Sequence, residues 1–199
     1  MPQQLQVIIC SVLIIIIATW LHFYQAQVPA LYDDFDFHRN LIWQEPWRIL
    51  TAHVLHLNLR HLVLNSIGLI IVTILFLRHF NVRSWLNAVT IIAVGISLWV
   101  WLVGFPERFV GLSGIIHGLF LCGILLEWSA SRYRWDWTLA IGAVFIISKV
   151  AFEAMGLIAS TTLLSAGEDV WVMHAGGLLA AVLAWWLHQR RLAALTRAD

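Results

Sequence analysis

Residues 109–128 read FVGLSGIIHGLFLCGILLEW. At 1.5 Å of rise per residue a helix of this length measures about 30 Å, the thickness of the hydrocarbon core of a bilayer. Its one carboxylate, Glu127, lies at the far end, while Ser113, Gly114, His117 and Gly118 crowd the beginning. An apolar helix of this length is suited to lipid, and hydrogen-bonding side chains within it are costly enough to count as functional candidates.

The rest of the chain has the same character. Of its 199 residues 61% are hydrophobic and only 12% charged, with 12 Trp and a mean hydropathy of +0.83, whereas a soluble domain carries about 25% charged residues. Apolar runs at about 5–23, 56–77, 85–105, 109–128, 137–158 and 170–187 predict six spans in one all-α membrane domain, residues 1–199. A net charge of +1 excludes nucleic acid as a partner, because phosphate contacts require clustered Lys and Arg. Cys10 and Cys122 fall in apolar runs without a Cys-x-x-Cys pattern, so redox chemistry is not indicated. No Lys or Arg precedes the first run, and Pro29 breaks the small-residue pattern at 28–30, so this run reads as an uncleaved anchor.

Basic residues set the expected sidedness. Arg78 and Arg83 follow span two, Arg132 and Arg134 follow span four, and Arg190, Arg191 and Arg197 follow span six. The opposite side receives Arg39, Arg48 and Arg108, with Arg60 at a span entrance. Both termini are therefore expected in the cytoplasm, and spans two, four and six all enter from the external face. The long connection at 25–47, with Asp33, Asp34, Asp36 and Glu45, is the first external loop.

Three sets of polar residues share that membrane level. His61 and Asn65 are one helical turn apart on one face of span two. Ser113 opens span four, and His174 lies near the start of span six. A serine and a histidine from different helices supply a nucleophile and a general base. The main-chain N–H of Ser113 and the side chains of His61 and Asn65 are candidate donors to an oxyanion. An acidic third member has no obvious occupant, since only Glu168 and Asp169 lie near His174 in sequence, so packing is expected to orient the imidazole. Gly114/Gly118 on span four and Gly176/Ala180 with Gly177/Ala181 on span six form small-residue ridges that bring backbones together.

These residues resemble the rhomboid intramembrane serine proteases from Trp47 to about Leu187. Gly111-Leu112-Ser113-Gly114 is similar to the family's Gly-x-Ser-Gly motif, His61-x-x-x-Asn65 to its second-span motif, and His174-Ala175-Gly176-Gly177 to its sixth-span histidine and small residues. Trp47-Arg48 resembles the pair that ends the family's first loop, and His56 falls where a further span-two histidine is common. The resemblance implies a six-helix bundle with Ser113 as nucleophile, His174 as base and His61 with Asn65 at the oxyanion; no cofactor is implied. His117 replaces a tyrosine common in the family. In this six-span chain, Gly-Leu-Ser-Gly-Ile-Ile-His-Gly is similar to the rhombosortase branch, which implies a bacterial inner-membrane enzyme, active near the periplasmic face. Its substrates would be membrane-anchored proteins with a C-terminal tail made of a Gly-Gly motif, an apolar span and a basic end. His117 either stacks on His174 or satisfies a polar contact in the core, and the sequence leaves both open.

Other readings are weaker. His53, His56 and His61 are close enough for metal ligation, but no His-Glu-x-x-His is present and His53 and His56 are expected at a wet helix entrance. A small transporter or channel would use Lys149, Glu153 and the histidines along a path, yet no inverted repeat or pair of broken spans is visible. Lys149 and Glu153, one turn apart in span five, are expected to pair within their helix, with Glu153 near water; alternatively they influence how span five moves to admit substrate. Trp85, Trp128, Trp135, Trp137 and Trp171 read as interfacial anchors.

Overall fold

A computed structural model describes residues 2–157 and 169–195. The order is α1 (Gln3–Gln25), α2 (Ala30–Phe35), β1 (Phe37–His38), α3 (Arg48–Thr51) running into a 3-10 turn (Ala52–Val54), and α4 (Leu59–Leu75). A second 3-10 turn (Leu77–His79) precedes α5 (Val82–Val103), β2 (Arg108–Phe109), α6 (Ser113–Ala130), α7 (Trp137–Ala154) and α8 (Val170–Leu195). Five of these helices are long and apolar enough to cross a membrane, and a sixth crossing results if the bent segment 48–75 counts as one span. The protein is an all-α, multi-pass membrane bundle.

Local sequence sets the helix ends. Asn58 accepts the His61 N–H at the start of α4, and Asn81 with Ser84 forms a reciprocal cap on α5. Asp136 accepts the Thr138 and Leu139 amides at the start of α7. Each cap satisfies amides that have no partner within the helix. Gly104, with φ of +88°, closes α5 in a left-handed conformation that costs glycine little.

α6 lies at the centre, its Ile115, Leu119, Cys122 and Leu126 buried in the main apolar cluster with Ile92 and Ile96 of α5 and Val172 and Ala181 of α8. α6 and α8 meet backbone to backbone. A Cβ on Gly177 would lie 2.1 Å from the Gly114 carbonyl oxygen, and one on Gly118 would lie 2.7 Å from that of Gly177. The second ridge of α8 faces α5 instead: a Cβ on Gly95 would lie 2.5 Å from Ala180 Cβ. α7 is the least enclosed of the later helices, with Ile141, Val144, Phe145 and Ile147 all more than half exposed.

The structure corrects several boundaries. Span two is broken: Arg48–Val54 and Leu59–Leu75 meet at 98°, because Leu55 turns extended and Asn58 starts a new helix. Residues 109–112 precede α6 rather than beginning it, since Phe109 pairs with Phe37 in a two-stranded antiparallel ribbon. α5 starts at Val82, and α8 continues past residue 187 to Leu195. The expected end of span five at 158, and Glu168, lie outside the described residues. Trp85 is no interfacial anchor, being 0% exposed in the α5 core, whereas Trp135 and Trp137 project outward. His53 and His56 are also fully enclosed. His53 donates through Nε2 to the Ala93 carbonyl and His56 through Nδ1 to that of Val54.

The first loop is built around a buried carboxylate. Asp36 accepts Arg48 on one oxygen (2.8 Å) and Arg108 on the other (2.5 Å). Arg48 also donates to the Asp33 carbonyl and to Glu45, and Arg108 reaches the Asp33 carboxylate. The hydrogen bonds to Asp36 and Asp33 raise the Arg108 pKa above its ordinary value. Arg48 and Asp36 are both buried, and removing one partner of such a pair typically costs about 3–5 kcal/mol; Arg108, more exposed, joins β2 to the same carboxylate.

Candidate active site

The N-terminal ends of α4, α6 and α8 converge. Ser113 is the first residue of α6, His61 the third of α4 and His174 the fifth of α8. The Gly114–Gly177 seam draws α6 and α8 close enough for the Ser113 hydroxyl to donate to His174 Nε2 at 3.0 Å. The histidine is 4% exposed and the serine only partly buried, so the hydroxyl borders open space while its partner is shielded.

Gly111 sets the approach to the serine. Its φ of +117° is a conformation that side-chain-bearing residues rarely adopt, and a Cβ there would lie 2.7 Å from His61 Nε2. Its N–H donates to the Ala52 carbonyl (3.0 Å), which ties the chain before α6 to the turn after α3. Asn65 Nδ2 would be 3.5 Å from the same Cβ and is a buried donor without a hydrogen-bond partner. Buried polar groups are nearly always satisfied, so a free amide beside the Gly111 hollow and the partly buried Ser113 is a candidate donor to a bound group. The first amides of α6, Ser113 among them, likewise have no partner within their helix and carry the positive end of its dipole.

His56 stands behind His61 in an edge-to-face contact, ring centroids 5.0 Å apart. His117 stacks flat on His174, with centroids 3.9 Å apart and planes at 14°, and donates through Nδ1 to the Ser113 carbonyl. Both roles open for His117 are therefore present: its ring lies flat on the His174 imidazole, and its Nδ1–H is satisfied by a polar contact in the core. Gly114 lies in the α6–α8 seam, below the serine.

Sequence reasoning missed the partner of His174 Nδ1. Glu153 of α7 accepts a hydrogen bond from Nδ1–H at 2.7 Å, while its other carboxylate oxygen accepts one from Lys149 Nζ at 2.5 Å. The expected Lys149–Glu153 pair is present, but its carboxylate is 1% exposed and faces α8 rather than water. The available signal was an acid within an apolar run, near the end of its helix, where burial calls for a partner. A hydroxyl, an imidazole held in one tautomer and unpaired donors nearby together have the chemistry of acyl transfer.

Comparison with known proteins agrees with this architecture. Residues 44–191 match the family model described as the Rhomboid domain. The chain is 28% identical over 162 residues to uncharacterized proteins of Mycobacterium bovis and Mycobacterium tuberculosis, covering 76% of this chain and 64% of each relative. It is 30% identical over 148 residues to one of Mycobacterium leprae, covering 71% and 55%. The match thus spans less than two thirds of the length of these relatives. Since the family model takes in the broken second span, the serine helix and the histidine helix alike, this chain belongs to the rhomboid family.

Proposed function

We propose that the protein is an intramembrane serine endopeptidase with Ser113 as nucleophile and His174 as general base. The observation that carries this reading is the 3.0 Å hydrogen bond from the Ser113 hydroxyl to His174 Nε2. As Ser113 Oγ attacks the substrate carbonyl, its proton passes to Nε2, and the oxyanion meets the Ser113 amide, Asn65 Nδ2 and His61. The imidazolium then returns the proton to the departing amine, leaving an acyl-enzyme. Water attacks this ester with His174 again as base, and the serine is regenerated. A helical substrate must unwind before its carbonyl can enter, which favours small residues at the scissile bond.

The substrate class we propose is the membrane-anchored protein with a C-terminal Gly-Gly tail, as for the rhombosortase branch. The supporting feature is the Gly-Leu-Ser-Gly-Ile-Ile-His-Gly sequence at 111–118, on which the resemblance to that branch rests. The distribution of arginines supports cytoplasmic termini and a site near the external face; a bacterial inner-membrane location, with that face periplasmic, is what the resemblance to the rhombosortase branch implies. The transporter and metal-binding alternatives gain no support from the fold or from the relatives.

The test is a reporter carrying such a tail, coexpressed with the wild-type protein or with Ser113→Ala and read by intact mass. Shortening by the wild type alone is the expected result, and equal shortening by both removes the Ser113 assignment. A reporter left whole by both, with a general membrane-anchored substrate cut by the wild type, removes only the tail specificity. Asn65→Ala is expected to slow cleavage about 100-fold with little change in KM, the usual effect of losing an oxyanion donor; unchanged kcat would remove Asn65 from that role.

A further inference from the structure

Glu153 is the most deeply buried carboxylate of the described spans, and the two-residue mechanism above leaves it unused. It stands at the end of α7, on the narrow face where Ile146, Val150 and Glu153 are buried while the neighbouring side chains are exposed. Its two oxygens are both occupied: Oε2 by His174 Nδ1–H and Oε1 by Lys149. A continuous chain of hydrogen bonds therefore runs from the Ser113 hydroxyl on α6, through His174 on α8, to Glu153 on α7.

We propose that Glu153 is the positioning acid of a Ser113–His174–Glu153 triad, and that Lys149 orients its carboxylate. The inference rests on the serine-protease reading and adds a third residue to it. A carboxylate on Nδ1 keeps that nitrogen protonated, so that Nε2 presents its lone pair to the serine, and it stabilises the imidazolium formed when the proton arrives. Lys149 engages the far oxygen and leaves the near one aimed at the imidazole. His117 and His61 are the other titratable groups close to His174, and neither bonds to Nδ1. Because the acid belongs to α7, the least enclosed of the later helices, the reactivity of Ser113 depends on α7 being seated against α8.

The geometry also makes a discriminating test possible. In Glu153→Gln the amide oxygen is expected to remain on Lys149, a donor only, which turns the amide NH2 toward His174 Nδ1. That forces the proton onto Nε2, the wrong tautomer for accepting from serine. Removing the lysine as well, in Lys149→Met with Glu153→Gln, frees the amide to flip and present its oxygen again. The readout is the rate at which a fluorophosphonate labels the purified full chain. Oγ bonds to phosphorus, fluoride leaves and the hydroxyl proton goes to His174, so no natural substrate is needed.

Glu153→Gln is expected to label about 10,000-fold more slowly than the wild type, the loss found when a triad acid is replaced by its neutral amide. The double variant should regain at least about tenfold of this, since restoring the tautomer restores the base. Ser113→Ala should not label. Near-wild-type labelling of Glu153→Gln with a blank Ser113→Ala overturns the triad while leaving the nucleophile in place; labelling of Ser113→Ala overturns the reading beneath it. Equal slowing in the single and double variants reduces Glu153 to a packing role and also overturns the proposal. If Glu153→Gln does not purify as a folded protein, Glu153→Asp replaces it: a carboxylate one methylene short is expected to label about tenfold more slowly, and an unchanged rate overturns the proposal.

Discussion

His174→Ala is expected to lower kcat on the tailed reporter by about a millionfold, and combining it with Ser113→Ala should lower it no further. Residues that act as one unit lose their whole effect when either is removed, as serine-protease dissections show. The distinguishing measurement is the double variant. Multiplied losses would mean that serine and histidine act separately, which the 3.0 Å bond between them argues against. The fold should survive, because the seam between α6 and α8 is made by glycines against backbone atoms and not by the His174 side chain.

The second large effect is structural. Gly177→Val is expected to abolish both folded yield and cleavage. Even its Cβ would stand 2.1 Å from the Gly114 carbonyl oxygen and 3.4 Å from the Gly118 amide nitrogen, and both are backbone atoms that no rotamer change can move. α8 would have to retreat from α6, and a misplacement of about 1 Å at a reacting pair already costs about 100-fold in rate. Gly68→Ala is the control: its Cβ would meet only the Ile116 side chain at 3.4 Å, and alanine gains helix propensity there. Thermal unfolding in detergent should show a normal transition for Gly68→Ala and no cooperative transition for Gly177→Val. A normal transition and normal cleavage in Gly177→Val would refute the seam.

Much of this is legible in the residues themselves. The apolar runs announce the bundle because lipid demands about 20 apolar residues per helix, and the glycine ridges announce the approach of α6 to α8 because only small residues permit it. The break in span two is hidden by continuity of composition: residues 48–75 are apolar enough throughout, and only Asn58, a strong N-cap, marks the new start. Trp85 misleads because tryptophan near a span end is common at interfaces, and only packing tells a core ring from an anchor. Glu153 is missed for a different reason. Its partner Lys149 lies one turn away in the same helix and seems to account for it, while the contact with His174 joins helices 21 residues apart in sequence. Asp36 likewise reads as one loop acid among several until the fold brings Arg48 and Arg108 to its two oxygens.

That carboxylate has a mechanical consequence. Asp36 is gripped from both sides, by Arg48 where the chain enters α3 and by Arg108 only five positions before Ser113. The Phe37–Phe109 pairing beside it, with rings stacked at 4.5 Å, leaves little slack between the loop and the strand leading to the serine. Loop and strand are thereby clamped together at adjacent points, so the first loop and the segment leading into the nucleophile are placed as one unit.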